Sequence, residues 1–308
     1  MSSDSFGDFD VGMLSSSEFD LVVETLSMGE RGEIEGELPT KSFSKKYTKE
    51  KELGKGAYGV VYKVKEKRTG NVYAAKGFFN KNKRKSHLYE IKTMKEFSGE
   101  CAGRVKEAFH DSDDDRIYVI MEYLEGEDMF SKATKPGLKN FDKPKFIKLF
   151  ECVKKLHSLG FVHRDIKLDN IMLLKNGDVK LIDFGLTVDF KLDTHPLRNI
   201  AGTPQYFNSF IMPRKLERYT EEELIEAWKF TDFWCLILSF YSFLANGYIY
   251  DSSKSTDMLF RHVRDKKMVV KDIPGEFGEL LQHIIKEYKW QLRPFELEKI
   301  IERHIRRW

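Results

Sequence analysis

The chain has 308 residues, of which 41% are apolar and 33% charged, and its formal net charge is +3. This length is enough for a sizeable core or for two domains, and the composition is that of an ordinary soluble globular protein. Three widely spaced cysteines without a C-x-x-C pair argue against a disulfide framework or a zinc knuckle and indicate a reducing, intracellular compartment, cytoplasmic or nuclear. The start of the chain lacks a basic and apolar leader, so we expect no secretory signal.

Residues 1–40 differ from the rest of the chain in charge. They contain ten acidic residues and a single base, Arg31, for a net charge of −9, which leaves +12 on residues 41–308. The Ser-, Gly- and acid-rich composition predicts a disordered tail. A small apolar group inside this tail is either a docking element, for a partner or for the domain itself, or part of an inert tail. The group comprises Phe19, Leu21, Val22, Val23 and Leu26.

From Lys46 onward, runs of β-type residues follow one another. Turn signals separate them, among them Thr69–Asn71 and the acidic stretch 110–115. Between the third and fourth runs, the apolar residues of KSHLYEIKTMKEF recur at helical spacing. The pattern predicts a five-stranded antiparallel sheet with one inserted helix.

Helical patterns dominate from about Asp142, interrupted by a predicted hairpin with its turn at Asn176–Gly177. The stretch from Phe233 to Tyr250 carries no charge and borders on the length of a membrane span. Because polar residues and a glycine interrupt it, we favour a helix buried on all sides within a large domain. We therefore expect no membrane association.

A G-x-G-x-x-G motif is formed by Gly54, Gly56 and Gly59. In a dinucleotide-binding fold such glycines follow a strand and open a helix. Here the β-branched pair Val60–Val61 follows at once, which predicts a strand–turn–strand whose backbone N–H groups can approach phosphates. No G-K-[ST] follows at the spacing of a P-loop, which excludes that motif. A glycine turn without a ligand stays open on this motif alone.

Lys76 lies within an apolar strand pattern, Ala74-Ala75-Lys76, where an unpaired ammonium is costly to bury. Glu90, on the inserted helix, is its natural partner. Together the two residues would hold a cation against the α- and β-phosphates of a nucleotide.

The strongest signal is H-R-D-x-K-x-x-N at residues 163–170, followed by D-F-G at residues 183–185. With the glycine turn, the strand lysine and the helix glutamate in this order, the chain resembles the eukaryotic-type protein kinases over nearly all of residues 46–308. The resemblance implies a bilobal α+β fold within residues 41–308. A small lobe (about 41–121) would contain the five-stranded antiparallel sheet and one helix, and a hinge (122–128) would lead to a mainly helical large lobe (129–308).

The resemblance also implies ATP and Mg²⁺ as cofactors and assigns roles to the motif residues. Asp183 and Asn170 would hold the metal, since both offer the hard oxygen ligands that Mg²⁺ takes. Asp165 would accept or orient the proton of the substrate hydroxyl, and Lys167 would lie near the γ-phosphate, as in serine/threonine rather than tyrosine kinases. His163 would be a packing residue rather than an acid–base group.

The adenine and ribose positions follow from the same resemblance. They are Val61, Ala74 and Met172 around the base, Met121 before the hinge (122–128, called the connector below), the backbone of Glu122 and Leu124 at the adenine edge, and Asp128 at the ribose. The stretch Gly202–Tyr206 resembles the loop that receives a peptide, which separates protein kinases from small-molecule kinases of the same fold.

Two departures concern the loop after the D-F-G motif. Asn208-Ser209-Phe210 stands where the family usually has Ala-Pro-Glu, so Arg293, the usual partner of that glutamate, would need another acid, for which Glu221–Glu223 are candidates. Asn199 stands at the position that is often a phosphorylated threonine. Arg164 would then lack its phosphate partner, unless a phosphate on Thr187 or Thr194 replaced it. We therefore expect an enzyme that does not require phosphorylation of this loop. A third departure is Ile237, which replaces a glycine in the buried helix.

The predicted function is transfer of the γ-phosphoryl group of ATP to Ser/Thr hydroxyls of protein substrates. Asp128 and Asp169 lie where acidic residues of the family meet basic side chains of the substrate. The main alternative is a pseudokinase scaffold that binds nucleotide without turnover, and a small-molecule phosphotransferase is a second. Only the basic run at residues 81–85 suggests nucleic acid, and such runs are usually solvated surface, so we expect no nucleic-acid partner.

Overall fold

The computed structural model describes residues 27–28, 34–35, 38–56, 58–79, 84–135, 142–250, 256–290 and 296–308. Within them, a β-sheet with one long helix forms an N-terminal small lobe, and a mainly helical large lobe follows. This confirms the predicted α+β class. The predicted docking group at Phe19–Leu26, most of the basic run at 81–85 and Arg293 lie outside the described residues.

The small lobe is built on a six-stranded sheet in the order β3-β7-β8-β6-β5-β4. Its strands are β3 (Thr40–Lys41), β4 (Tyr47–Lys55), β5 (Gly59–Glu66), β6 (Val72–Phe78), β7 (Val105–Asp111) and β8 (Ile117–Glu122). The five long strands pair antiparallel, as predicted. The sixth, β3, was not predicted, because two residues pairing parallel to β7 leave no pattern of alternation.

Short strands also occur inside the acidic segment, at β1 (Ser27–Met28) and β2 (Ile34–Glu35), which pair antiparallel. Leu38 is buried in the main core. The disorder expected of residues 1–40 stays a prediction, because most of this segment lies outside the described residues.

The two faces of the small-lobe sheet have different partners. Helix α2 (Arg84–Glu96) buries Leu88, Ile91 and Met94 in the main core on one side. The other face carries a separate cluster of aromatic and aliphatic side chains. Over this outer face lies the short helix α1 (Phe43–Lys46), whose Phe43 ring lies 4.5 Å from that of Tyr118.

The large lobe contains most of the helices and three short strand pairings. Its helices are α3 (Met129–Ala133), α4 (Lys143–Leu159), α5 (Pro213–Leu216), α6 (Glu221–Ala245), α7 (Thr256–Arg264), α8 (Glu276–Trp290) and α9 (Leu297–Ile305). Its strands are β9 (Gly126–Asp128), β10 (Phe161–Val162), β11 (Ile171–Leu174), β12 (Val179–Leu181) and β13 (Val188–Asp189). Strand β11 lies between β12 and β9, with the predicted hairpin turn joining β11 to β12, and β10 pairs with β13.

Helix α6 is the centre of the large lobe. Thr220 and Glu223 form a capping box at its start, which satisfies two of the free N–H groups of the first turn. The helix then buries nearly every side chain from Phe230 to Ser242, as expected for the charge-free stretch. None of the helices in the described ranges has the length and apolar character needed to cross a membrane.

One cysteine expectation is wrong. Cys101, in the loop after α2, forms a disulfide with Cys152 of α4, across 51 residues of chain. Spacing along the sequence could not show this pair, because the bond depends on the packing of the two lobes, which brings the Cα atoms to 5.5 Å. Cys235 is a buried free thiol in α6.

Candidate active site

The glycine turn lies between β4 and β5, as its sequence predicted, and the N–H of Gly56 donates to the carbonyl of Gly59 at 2.9 Å. The glycines serve different purposes. A Cβ on Gly59 would lie 2.6 Å from the carbonyl oxygen of Gly77 on β6, so this position is glycine because two strands approach closely. A Cβ at Gly54 or Gly56 would meet open space, which leaves their backbone accessible to a ligand.

Strand register places the predicted nucleotide-binding residues of the sheet on one face. Val61 is opposite Lys76, and Ala74 is opposite Met121. Directly paired residues share a face, and so do residues two apart in one strand. Val61, Ala74, Lys76 and Met121 therefore face the same side of the sheet.

Lys76 connects the sheet, α2 and the D-F-G motif. Its ammonium contacts the Glu90 carboxylate and lies 3.1 Å from Oδ1 of Asp183. Burial opposes the charge on Lys76, but the carboxylates of Glu90 and then Asp183 outweigh it and raise the lysine pKa. Burial raises the pKa of Glu90 despite the nearby ammonium. Burial opposes the charge on Asp183, but the Lys76 charge outweighs it and lowers the pKa of Asp183. The carboxyl group of Asp183 therefore ionises more readily than that of Glu90.

The connector leaves β8 at Glu122 and reaches the large lobe through β9. Glu122 accepts hydrogen bonds from the Lys180 ammonium at 2.9 Å and from the N–H of Arg104 at 3.1 Å, which tie the connector to both lobes. Leu124 follows, and its side chain lies near Gly103, since a Cβ added to that glycine would be 3.8 Å from Cγ of Leu124. Met172 of β11 is opposite Asp128 in the pairing with β9.

Asp128 is the predicted site residue whose environment differs most from expectation. Both of its carboxylate oxygens accept hydrogen bonds from Ser131, one from the backbone N–H and one from the hydroxyl, each at 2.7 Å. Asp128 is thus the N-cap of α3, and ribose binding by this residue stays a prediction.

A second group of polar side chains gathers around Asp165. Its Oδ1 accepts a hydrogen bond of 2.7 Å from the Thr203 hydroxyl, and its Oδ2 lies 2.9 Å from the Lys167 ammonium. Lys167 in turn donates to Thr203 at 3.0 Å, which closes a triangle. The side-chain amide of Asn170 donates to the Asp165 carbonyl at 2.8 Å. The Thr203 hydroxyl and the Lys167 ammonium therefore hold the carboxylate, and Asn170 holds the backbone of the same residue.

The two groups are neighbours because the N–H of Ile182 donates to the carbonyl of Asn170 at 2.9 Å. Asp183 follows directly, with φ of 62°, a left-handed conformation that is costly for a non-glycine residue and is often found at functional sites. Asp183 offers an ionised carboxylate, and Asn170, whose amide nitrogen is engaged by Asp165, offers its amide oxygen. These donors suit a Mg²⁺ ion shared with phosphate oxygens.

The packing role of His163 agrees with its environment. The imidazole is fully buried, lies 5.2 Å from the Phe184 ring, and has no partner for Nε2 among the described residues. Burial lowers its pKa, so the ring is neutral at pH 7. Such a group cannot exchange protons with a substrate in the cleft.

The position of the usual Ala-Pro-Glu glutamate is occupied by an aromatic contact. The Phe210 ring lies 4.8 Å from Phe230, at nearly a right angle, and the Lys215 ammonium lies 5.2 Å from the Phe210 centroid. The residues Glu221–Glu223 begin α6, and their proposed partner Arg293 lies outside the described residues. The predicted ion pair is therefore neither supported nor contradicted.

Two residues beyond the predicted site contact Asp165 or its neighbour Arg164. Thr203 lies in the stretch that resembles the peptide-receiving loop, and its hydroxyl also joins both Asp165 and Lys167. Trp228 carries no sequence motif, and its ring lies 4.6 Å from the Arg164 guanidinium. A lone tryptophan in an apolar helix carries no signal of such a contact, because core packing produces the same pattern.

Comparison with known proteins identifies the family of the chain. Residues 47–302 match the model of the protein kinase domain family. The chain therefore belongs to the protein kinase family.

Among curated proteins, the chain is similar to RAC-beta serine/threonine-protein kinase A of Xenopus laevis, with 33% identity over 183 residues, 57% of this chain and 36% of that protein. It is 34% identical to serine/threonine-protein kinase cot-1 of Neurospora crassa over 50% of this chain and 26% of that protein. It is 36% identical to serine/threonine-protein kinase CBK1 of Pneumocystis carinii over 46% of this chain and 29% of that protein. The alignments thus span about a quarter to a third of the length of these relatives.

Proposed function

We propose that this protein transfers the γ-phosphoryl group of ATP, with Mg²⁺, to the hydroxyl of serine or threonine in protein substrates. The observation that carries the proposal is the triangle of Asp165, Lys167 and Thr203 beside Asn170 and Asp183. In addition, the three similar proteins named above are serine/threonine-protein kinases.

In this proposal, ATP binds under the glycine turn against the face of the sheet that carries Val61, Ala74 and Met121. The backbone of Gly54 and Gly56 covers the phosphates, where the absence of side chains leaves room. Met172 closes the other side of the adenine, and the backbone of Glu122 and Leu124 holds its edge. Lys76, oriented by Glu90, contacts the α- and β-phosphates.

Asp183 and Asn170 hold the metal. Bound Mg²⁺ supplies charge neutralisation on the phosphate oxygens. The lowered pKa of Asp183 keeps this ligand ionised at neutral pH.

Asp165 orients the acceptor hydroxyl, whose oxygen forms a bond to the γ-phosphorus while the bond from that phosphorus to the β,γ-bridging oxygen breaks. The hydroxyl proton passes to Oδ1 or Oδ2 of Asp165, and the electron pair leaves with ADP. Lys167 stabilises negative charge on the transferred group, and the Thr203 hydroxyl holds the carboxylate in place. Most of the catalytic effect then comes from positioning and fixed charges.

The test is incubation of the full chain with labelled ATP, Mg²⁺ and a mixed basic protein substrate. Wild-type protein should place label on serine and threonine, and Asp183→Asn should lose it. Asp265→Asn is the matched control, since Asp265 is an exposed residue paired with neighbouring Arg264 at 2.7 Å, far along the chain from the motifs. Absence of transfer with intact nucleotide binding in a melting-shift assay would contradict the proposal in favour of the pseudokinase scaffold.

A further inference from the structure

Arg164, the residue before Asp165, is a buried cation. Only 6% of its surface is exposed, and its Nε has no hydrogen-bond partner among the described residues. Burial lowers its pKa to about 10, so it remains charged at neutral pH. Within the described part of the chain, its Nη2 donates to the carbonyl of Asn199 at 2.7 Å, and the guanidinium lies over the ring of Trp228, 4.6 Å from the ring centroid. An aromatic face attracts a cation more strongly when water is excluded.

Trp228 contacts the loop as well as the arginine. Its indole N–H donates to the carbonyl of Leu197 at 2.7 Å, and both residues are fully buried. We call the stretch from Gly185 to Tyr206 the activation segment. Trp228 thus holds this segment and the guanidinium of Arg164 at the same time.

Helix α6 fixes the backbone of Arg164 as well. Asp232, one helical turn after Trp228, is fully buried and accepts hydrogen bonds of 2.8 Å from the N–H groups of His163 and Arg164. One face of a buried helix therefore positions both the backbone and the side chain of the residue before Asp165.

Three consecutive residues of the activation segment, Leu197, Arg198 and Asn199, form hydrogen bonds to other parts of the large lobe. Trp228 binds the carbonyl of Leu197, and Arg164 binds that of Asn199. Between them, Nη1 of Arg198 donates to the carbonyls of Leu216 at 3.2 Å and Tyr219 at 3.3 Å. All of these contacts are made to backbone carbonyls, so none of them involves a phosphate group.

The activation segment continues from Asn199 to a contact with Asp165. At Gly202 the chain passes so close to the carbonyl of Arg164 that a Cβ would lie 2.3 Å from its oxygen. The next residue, Thr203, donates to Asp165. A shift of the segment would therefore move the hydroxyl that orients the carboxylate.

We propose that Trp228 is a positioning residue: by stacking on Arg164 and binding the Leu197 carbonyl, it orders the activation segment without phosphorylation and so aligns Thr203 with Asp165. The consequence for turnover rests on the proposed kinase activity. The hydroxyl of Thr187, one of two threonines considered as phosphate carriers, is buried, which agrees with an order that needs no phosphate.

The test compares Trp228→Leu, which removes both contacts, with Trp228→Phe, which keeps a ring but loses the N–H. Trp308→Leu is the matched control at a ring that packs 5.8 Å from Phe146. Readouts are steady-state kinetics on a peptide, nucleotide affinity, and the rate of tryptic cleavage after Arg198. The intact mass of each protein, with and without phosphatase treatment, reports its phosphate content.

We expect Trp228→Leu to lower kcat on the peptide by about tenfold to a hundredfold, with the nucleotide affinity within about twofold of wild type and cleavage after Arg198 accelerated. The kcat and the cleavage rate of Trp228→Phe should lie between those of wild type and Trp228→Leu. This variant also keeps the proposal testable if Trp228→Leu does not fold. Phosphatase-treated wild type should keep its activity. A wild-type rate of cleavage in both variants, wild-type kinetics in both variants, or loss of activity on phosphatase treatment would each overturn the proposal.

The cleavage rate separates this proposal from that of kinase activity. If wild-type protein transfers no phosphate to any substrate, the kinase proposal fails, but faster cleavage after Arg198 in Trp228→Leu would still support the ordering role. Unchanged cleavage in an active Trp228→Leu enzyme would leave the kinase proposal intact and reject the ordering role.

Discussion

The hydroxyl of Thr203 and the carboxylate of Asp165 are 2.7 Å apart, although 38 residues of chain separate them. The bond joins the loop that carries Asp165 to the far end of the activation segment. Because Lys167 also contacts both residues, the carboxylate has one preferred orientation before any substrate arrives.

Removal of the Thr203 hydroxyl should impair turnover more than binding. We expect Thr203→Val to lower kcat by about tenfold to a hundredfold with little change in KM for ATP, because the hydroxyl orients the carboxylate rather than the nucleotide. Thr203→Ser should restore most of the rate. Asp265→Asn is the control, since Asp265 is exposed and paired with neighbouring Arg264 at 2.7 Å. Equal rates for the valine and serine variants would argue against this role.

Lys76 should contribute to folding as well as to nucleotide binding. Lys76→Met leaves Glu90 buried without a cation, so we expect loss of ATP binding and a free energy of unfolding lower by about 3 kcal/mol. Glu90→Gln in the same chain should recover part of that stability, because it removes the uncompensated charge. Urea unfolding of the single and double variants measures the effect. Lys175→Met, which affects only the exposed pair with Glu125, should show no measurable change, and a double variant as unstable as the sum of the singles would contradict the ion pair.

His163 should make stability depend on pH below about 6.5. Burial lowers its pKa in the folded protein, so below the ordinary value of about 6.5 the unfolded chain binds the proton first. Its contribution is therefore complete above about pH 6.5 and is lost as the pH falls, by up to about 1.4 kcal/mol per pH unit until the folded pKa is reached. The measurement is the free energy of unfolding against pH for wild type and His163→Phe. The difference between the two curves should have this slope, and parallel curves would exclude it.

The disulfide between Cys101 and Cys152 should be detectable without a structure. Under denaturing, non-reducing conditions we expect one free thiol, that of Cys235, and three after reduction. Because the bond closes a loop of 51 residues, Cys152→Ser should lower the free energy of unfolding by up to about 4 kcal/mol. Cys235→Ser serves as the control for loss of a buried thiol. Three free thiols before reduction would show that the bond is absent.

Asp169 should influence the choice of substrate more than Asp128 does. Asp169 is exposed, whereas both oxygens of Asp128 are bonded to Ser131. On a peptide array, Asp169→Asn should weaken a preference for Arg or Lys upstream of the acceptor, while Asp265→Asn should leave it unchanged. A wild-type array without basic enrichment would remove the basis for this prediction.

Much of the site could be predicted because its chemistry is encoded in short motifs. The sequence patterns predict the strands that carry Val61, Ala74 and Lys76, and the register of β5, β6 and β8 in the structure places all three on one face. The roles assigned to the motif residues stay predictions. The contact of Lys76 with Glu90 was anticipated, because a buried lysine needs a counter-charge.

The unpredicted features are contacts between distant parts of the chain. The Cys101–Cys152 bond and the contact of Arg164 with Trp228 depend on how the elements pack in space. No residue spacing reports that arrangement.

The outer face of the small-lobe sheet has a practical consequence for anyone who shortens this protein. The family match begins at residue 47, which makes that residue an obvious place to cut. A fragment that starts there would lose Phe43, which covers Tyr118, and the lysines 41 and 46, which neutralise the carboxylate of Glu107, only 1% exposed. Such a fragment should expose an aromatic surface and aggregate on expression, whereas one that begins at Leu38 should remain monodisperse.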